Sequence, residues 1–160
     1  MTGLLAFTLF HTALSLIQLV SGIVVVFALM NSRDGGSWMP VYLVSGIATS
    51  VTGFMFPFNG LLPSHVFGII SLVLFAIVLL ARYKFHLAGA WRLIFTICLV
   101  ITVYLDAFVA VVQSFLKIPP LHTLAPTGTE TPFAVAQGIL LILFVWWGIS
   151  ASRSYRPAVA

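Results

Sequence analysis

Four histidines, Asp106 and a few amides are the residues of this chain that point most directly to chemistry, and most of them stand in or beside long apolar runs. His11, His65 and His122 are 54 and 57 residues apart, yet all three fall to the same side of the chain's apolar segments. A neutral imidazole is the commonest metal ligand, and its ordinary pKa near 6.5 also makes it a proton carrier. Two histidines from different helices can ligate a haem iron axially, and three can hold copper or zinc. The spacing is no metal signature in itself: there is no H-x-x-x-H pair, no C-x-x-C and no c-type haem motif. Asp106 is the second anomaly. It interrupts an apolar run where an ionised carboxylate is costly. Arg92 is 14 residues away, about 21 Å of helical rise, too far to pair with it. Asp106 is then protonated, or bonded to polar groups such as Gln18 or Thr102, or lines a hydrated cavity. Gln18 and Gln113 complete a candidate proton or polar relay around it. The lone cysteine, Cys98, excludes an internal disulfide and reads as a packing residue.

The elements that must position these groups follow from hydropathy. Leu4–Met30 and Thr131–Ser152 carry no Asp, Glu, Lys or Arg, Leu93–Leu116 carries only Asp106, and Trp38–Ala81 runs uncharged for 44 residues. A helix needs about 20 apolar residues to cross a hydrocarbon core. The 44-residue run is too long for one crossing, and Pro57, Asn59-Gly60 and Pro63 mark a turn within it. The expectation is an all-α polytopic membrane helix bundle with five transmembrane helices, 4–30, 39–56, 63–82, 90–116 and 132–152, forming a single domain over 1–160. The second segment is short enough that full crossing and re-entry both stay open. Composition agrees, with 61% hydrophobic and 6% charged residues and a mean hydropathy of +1.18. A soluble domain is about 25% charged. Seven basic residues scattered through short loops make no nucleic-acid surface despite a pI near 9.7. The N-terminal run has no basic leader and exceeds the roughly 7–15 residues of a signal-peptide core, so it reads as a retained helix.

Five crossings put Arg33, Arg82, Lys84, Arg92, Arg153 and Arg156 on one side and only Lys117 on the other. The positive-inside rule then sets the N-terminus outside and the C-terminus in the cytoplasm. Trp38, Tyr42, Tyr83, Trp91 and Tyr155 fall near the cytoplasmic face as an aromatic belt. In this frame His11, His65 and His122 share the outer half of the bilayer with Gln113, Gln137 and Glu130. His86 lies alone on the cytoplasmic side as an interfacial residue. Helical spacing puts Thr8, His11, Ser15, Gln18 and Gly22 on one face of the first helix, and Arg92, Thr96, Asp106, Gln113 and Lys117 on one stripe of the fourth. Ser45, Thr49 and Thr52 share a face of the second, with Gly46, Ser50 and Gly53 beside them, as close-packing membrane helices require. Thr129 or Thr131 is placed to cap the last helix, with Pro132 at its first position and Glu130 beside its positive end.

The stretches HTALSLIQLVSG, ATSVTGFMFPFNGLLPSH, ARYKFHLAGAWR and LHTLAPTGTETPF together resemble a group of small bacterial multi-span membrane proteins with no assigned activity. The likeness covers most of the chain. It implies the bacterial inner (cytoplasmic) membrane and nothing about chemistry. From the residues, two functions are expected. The first is binding of haem b, or alternatively copper or zinc, by His11, His65 and His122, with electron transfer to or from a quinone or another redox partner. The second is a non-redox transporter, proton-conducting or accessory subunit working through Asp106 and Gln18. The lipid bilayer is the common partner, and a homo-oligomer or a place in a larger membrane complex is expected. The absence of a visible inverted repeat weighs against a transporter.

Overall fold

In lipid, a spanning segment must satisfy its backbone polar groups within itself, and a helix does so. The computed structural model describes residues 2–56 and 63–157. Its helices are α1 (Thr2–Met30), α2 (Trp38–Gly53), α3 (Pro63–Leu79), α4 (Trp91–Lys117), α5 (Pro119–Leu124) and α6 (Thr131–Ser154). A π-helical turn, Leu80–Lys84, extends α3, and no strand is present among the described residues. Among the described residues, four segments are long and apolar enough to cross a membrane: Gly3–Met30, His65–Lys84, Trp91–Lys117 and Thr131–Ser154. This is a helical membrane protein. The expected turn at Pro57 and Asn59-Gly60 lies outside the described residues, and Pro63 opens α3.

Two boundaries differ from expectation for physical reasons. The 16-residue α2 stops at Gly53, about 24 Å long, because the chain turns at Phe54 before the prolines. The outer connection is not all loop: Pro119 and Pro120 start the short α5, since proline has no amide to leave unpaired in a first turn. At α6 the N-cap is Glu130, not a threonine, and Pro132 is the second helical residue. The Glu130 carboxylate instead accepts from the Thr127 and Thr129 amides at 3.1 and 3.0 Å, folding the loop onto the helix start.

One end of the bundle is tied by polar contacts. The Arg82 guanidinium donates two bonds to Asp34, at 2.7 and 2.6 Å, and the Tyr155 hydroxyl donates a third at 2.8 Å. Arg92 donates to the Ser152 and Tyr155 carbonyls at 3.1 and 2.7 Å, and the Arg156 amide donates to Ser32. The Arg82 fork holds the Asp34 carboxyl below the usual carboxylate range; partial burial opposes this and the Tyr155 hydroxyl reinforces it. Burial, and then the neighbouring Asp34, push the Tyr155 phenol upward. These contacts gather the end of α1, the α1–α2 loop, the end of α3, the start of α4 and the end of α6. At the far end of α2, His11 bonds Thr52 and Phe54 stacks on His65 at 5.8 Å. Thus α1, α2, α3, α4 and α6 run alternately toward and away from the tied end.

The apolar core fills the half of the bundle near that end. Val25, Val26, Leu29, Phe95, Leu99 and Val103 are wholly buried there. Tyr42 belongs to this interior and not to the aromatic belt, because its hydroxyl finds Thr102 inside the bundle. Tyr155 is likewise buried, whereas Trp38 and Tyr83 are exposed as belt residues are. His86 is exposed in the turn before α4, where it adopts a positive φ of 47°.

Candidate functional site

Polar side chains collect where α1, α2 and α4 meet, and contacts between these helices set their register. A Cβ added at Gly22 would meet the Val103 side chain of α4 at 2.8 Å and the Tyr42 ring of α2 at 2.9 Å, so side chains of both neighbouring helices press on α1 here. Glycine at this point is what admits the Tyr42 ring. One turn from Gly22 toward His11 stands Gln18. Because α4 runs antiparallel to α1, one turn beyond Val103 stands Asp106. Two turns beyond Tyr42 stands Thr49, on the same face of α2. At 1.5 Å per residue, Gln18, Asp106 and Thr49 fall within a layer about 6 Å deep. Asp106 is seven residues from Leu99, two full turns, and so points the same way as the residues that meet Tyr42.

The hydrogen bonds end abruptly in this layer. Below it, the Thr102 hydroxyl donates to the Leu99 carbonyl at 2.8 Å and accepts from the Tyr42 hydroxyl. Above it, the Thr52 hydroxyl donates to the Ala48 carbonyl at 2.7 Å, which leaves its oxygen to accept from His11 Nδ1 at 2.9 Å. That arrangement sets the His11 tautomer and turns Nε2 away from Thr52. Between these pairs, Gln18 Oε1, Thr49 Oγ1 and Asp106 Oδ2 are buried without a hydrogen-bond partner. On α6, Gln137 Nε2 donates to the Phe108 carbonyl of α4 at 3.2 Å, while its Oε1 is also buried and unpartnered among the described residues. Buried polar atoms are nearly always paired, so three such oxygens at one level of α1, α2 and α4 single this layer out. The polar column runs from Tyr42 to His11, about 16 Å along the bundle. The Phe7 and Phe56 rings, 4.9 Å apart, lie beside its His11 end, and Phe56 meets the His11 ring edge-on at 5.2 Å.

The structure sorts the residues singled out from sequence. His11, Gln18 and Asp106 enter the column. Asp106 is not bonded to Thr102, whose hydroxyl is already committed to Leu99 and Tyr42. Gln113 is exposed, level with the last residues of α2, where that helix runs out and no longer covers it. Gln137 and Thr49 occupy the buried positions instead. The seven-residue spacing of Tyr42 and Thr49 was the available signal for Thr49; Gln137 carried none beyond its depth. His65 is buried and stacked on Phe54. Thr52 and Phe54 are two residues apart on a helical turn, about 200° in direction, so His11 and His65 flank opposite sides of the end of α2. His122 is exposed on α5. Among the described residues no three of His, Cys, Asp and Glu stand close enough to share a metal ion.

The chain matches no family model, no curated protein and no solved structure. Its function must be read from the site.

Proposed function

We propose that this protein carries protons through the α1–α2–α4 junction, with Asp106 as the group that takes up and releases them. The observation that carries this reading is the buried, unpartnered Asp106 Oδ2, level with the equally unpartnered Gln18 Oε1 and Thr49 Oγ1. A carboxylate is acceptor-only, so the ionised acid takes a bond from the Thr49 hydroxyl but leaves Gln18 Oε1 without a donor. The protonated acid supplies an O–H to that oxygen. The two protonation states of Asp106 therefore make different bonds with the same neighbours, as a carrier requires. Intramembrane acids of this kind mark proton relays. His11 stands at the column's far end with Nε2 turned away from Thr52, ready to pass a proton on. The wholly buried Val25, Leu29, Leu99 and Val103 beyond Tyr42 close the other side against continuous water. The test is proton uptake into vesicles of purified protein, driven by a potassium diffusion potential and read with an enclosed pH dye. Uptake no faster than in protein-free vesicles overturns the proposal.

The orientation supported best has five crossings, the N-terminus outside and the C-terminus cytoplasmic. Six of seven basic residues fall on the side of the tied end, and α2 runs from that end past the whole apolar core. With the resemblance to bacterial multi-span proteins, this favours the bacterial inner membrane. A single cysteine placed at Lys84, in a Cys98→Ser background, should resist impermeant maleimide in intact cells. A cysteine at exposed Lys117 should react. The reverse pattern sinks the orientation.

A second reading rests on its own observation. Thr52 fixes His11 through Nδ1, as the outer partners of metal-bound histidines do, and buried His65 packs on the same turn of α2. Because the two stand on opposite sides of the end of α2, haem b, or copper or zinc, would take His11 or His65 as its ligand and not both, with His122 as an outlying candidate and a quinone as redox partner. Gently purified protein that lacks a Soret band and bound metal removes this reading and leaves the proton reading intact.

A further inference from the structure

A groove separates α4 from α6 on the lipid-facing side of the bundle. It encloses about 510 Å³, within the roughly 300–1,000 Å³ of known ligand sites. Leu93, Ile97, Ile101, Leu141 and Val145 form its walls, and Val100 and Gly148 form its floor. Gly148 lacks the side chain that would fill the groove: a Cβ there would sit at 3.5 Å from Val100, an ordinary contact. At the tied, basic end the groove opens at Ser152 and Arg153. A smaller hollow lined by Trp146, Ser150 and Ser154 adjoins it and shares Ile149 and Arg153.

Two features identify the occupant. One is charge. Arg82 is spent on Asp34, Arg92 on the Ser152 and Tyr155 carbonyls, and Arg156 on the Tyr155 carbonyl. Arg153 is exposed and makes no ion pair or hydrogen bond among the described residues, so its guanidinium is available at the mouth. The other is length. Arg153 and Leu141 are 12 residues apart on α6, about 18 Å of rise, close to the depth of one leaflet of a roughly 30 Å core. An apolar slot one leaflet deep with a free cation at its headgroup end matches an acyl chain beneath a phosphate. We infer that the α4–α6 groove is a binding site for an anionic phospholipid, its acyl chain along Val100 and Gly148 and its phosphate on Arg153. Basic pockets between membrane helices on the cytoplasmic side take such headgroups. The site is separate from the polar column, and its fate does not depend on proton transport.

The experiment uses the full chain in nanodiscs of equal parts phosphatidylglycerol and phosphatidylcholine. The protein is extracted gently, and the lipid that stays bound is counted by native mass spectrometry. Wild type should retain phosphatidylglycerol in preference to phosphatidylcholine. Arg153→Gln, at an exposed position that the fold does not need, should lower retained phosphatidylglycerol about fivefold, the worth of one arginine near an anionic headgroup. Phosphatidylcholine should not change. Gly148→Leu, which fills the floor, should expel both lipids. Arg33→Gln, an exposed arginine at the same end but off the groove, should keep the wild-type count. Equal retention of the two lipids by wild type overturns the inference. So does an equal loss in Arg33→Gln and Arg153→Gln, which would show attraction to net charge alone. Cross-linking of Ile149 to a second copy of the chain would also overturn it, by giving the groove to a protein neighbour.

Discussion

Asp106→Asn is expected to bring proton uptake down to that of protein-free vesicles while leaving the bundle as stable as the wild type, or more so. The substitution keeps size and shape but removes the titrating group. It also changes the hydrogen-bond balance in the layer. The wild-type carboxylate can only accept, so of its unpartnered neighbours it suits the Thr49 hydroxyl and leaves Gln18 Oε1 without a donor. An asparagine brings two N–H donors to the same place. Leaving a buried polar atom unsatisfied costs about 1–3 kcal/mol, so satisfying one should recover about 1 kcal/mol of that. Asp106→Leu should also abolish uptake, and without loss of fold, because Asp106 makes no side-chain hydrogen bond among the described residues. Loss of function joined to gain of stability is the signature of a group retained for activity. Reversible unfolding in mixed micelles gives the stability, and the vesicle assay gives the flux. An Asp106→Asn protein that conducts like wild type would remove Asp106 from the path. One that unfolds would show that the aspartate is structural.

The layout of this site was half legible in the residues. Apolar runs specify membrane helices because lipid leaves the backbone no other partner, and four of the five runs became helices long enough to cross. The stripe His11–Ser15–Gln18–Gly22 is a purely local signal. It held: His11 bonds Thr52 of α2, Gln18 is buried, and Gly22 is pressed by the Val103 and Tyr42 side chains. The same reasoning on α4 found Asp106 but also chose Gln113, since periodicity gives direction and not the length of the neighbouring helix. Gln113 is exposed only because α2 ends at Gly53, a fact that belongs to a different segment. Tyr42 was misplaced for a related reason. Near a helix start, a tyrosine reads as a belt residue until one knows that Gly22, 20 residues earlier, leaves room for its ring. The Asp34–Arg82–Tyr155 clasp joins positions 48 and 121 residues apart, and no local pattern announces it.

Gly22 should be one of the sensitive points in the bundle, as should Gly46, whose added Cβ would strike the buried Phe75 ring. At Gly22 an added methyl would meet Val103 and Tyr42 closer than carbon atoms normally approach. Neither neighbour can retreat, because both are wholly buried, and Tyr42 is also held through its hydroxyl by Thr102. Gly22→Ala should therefore destabilise the protein by about 1–3 kcal/mol, the usual cost of overpacking. This is the opposite of the gain that the helix propensity of alanine alone would give. Gly22→Leu should prevent the three helices from closing and leave little protein that survives purification. The proof lies in a compensating pair. Val103→Ala removes the methyl that an added Cβ would strike, at the cost of a cavity. If the clash is the mechanism, Gly22→Ala combined with Val103→Ala should lose less stability than the sum of the two single changes, by at least about 0.5 kcal/mol. Gly148→Ala is the control, since its new Cβ finds an ordinary 3.5 Å contact with Val100 and should stabilise or do nothing. Additive behaviour of the Gly22 and Val103 changes, or a neutral Gly22→Ala, would mean that α1 is not pressed against α4 at this level. The register that places Gln18 beside Asp106 would then fail with it.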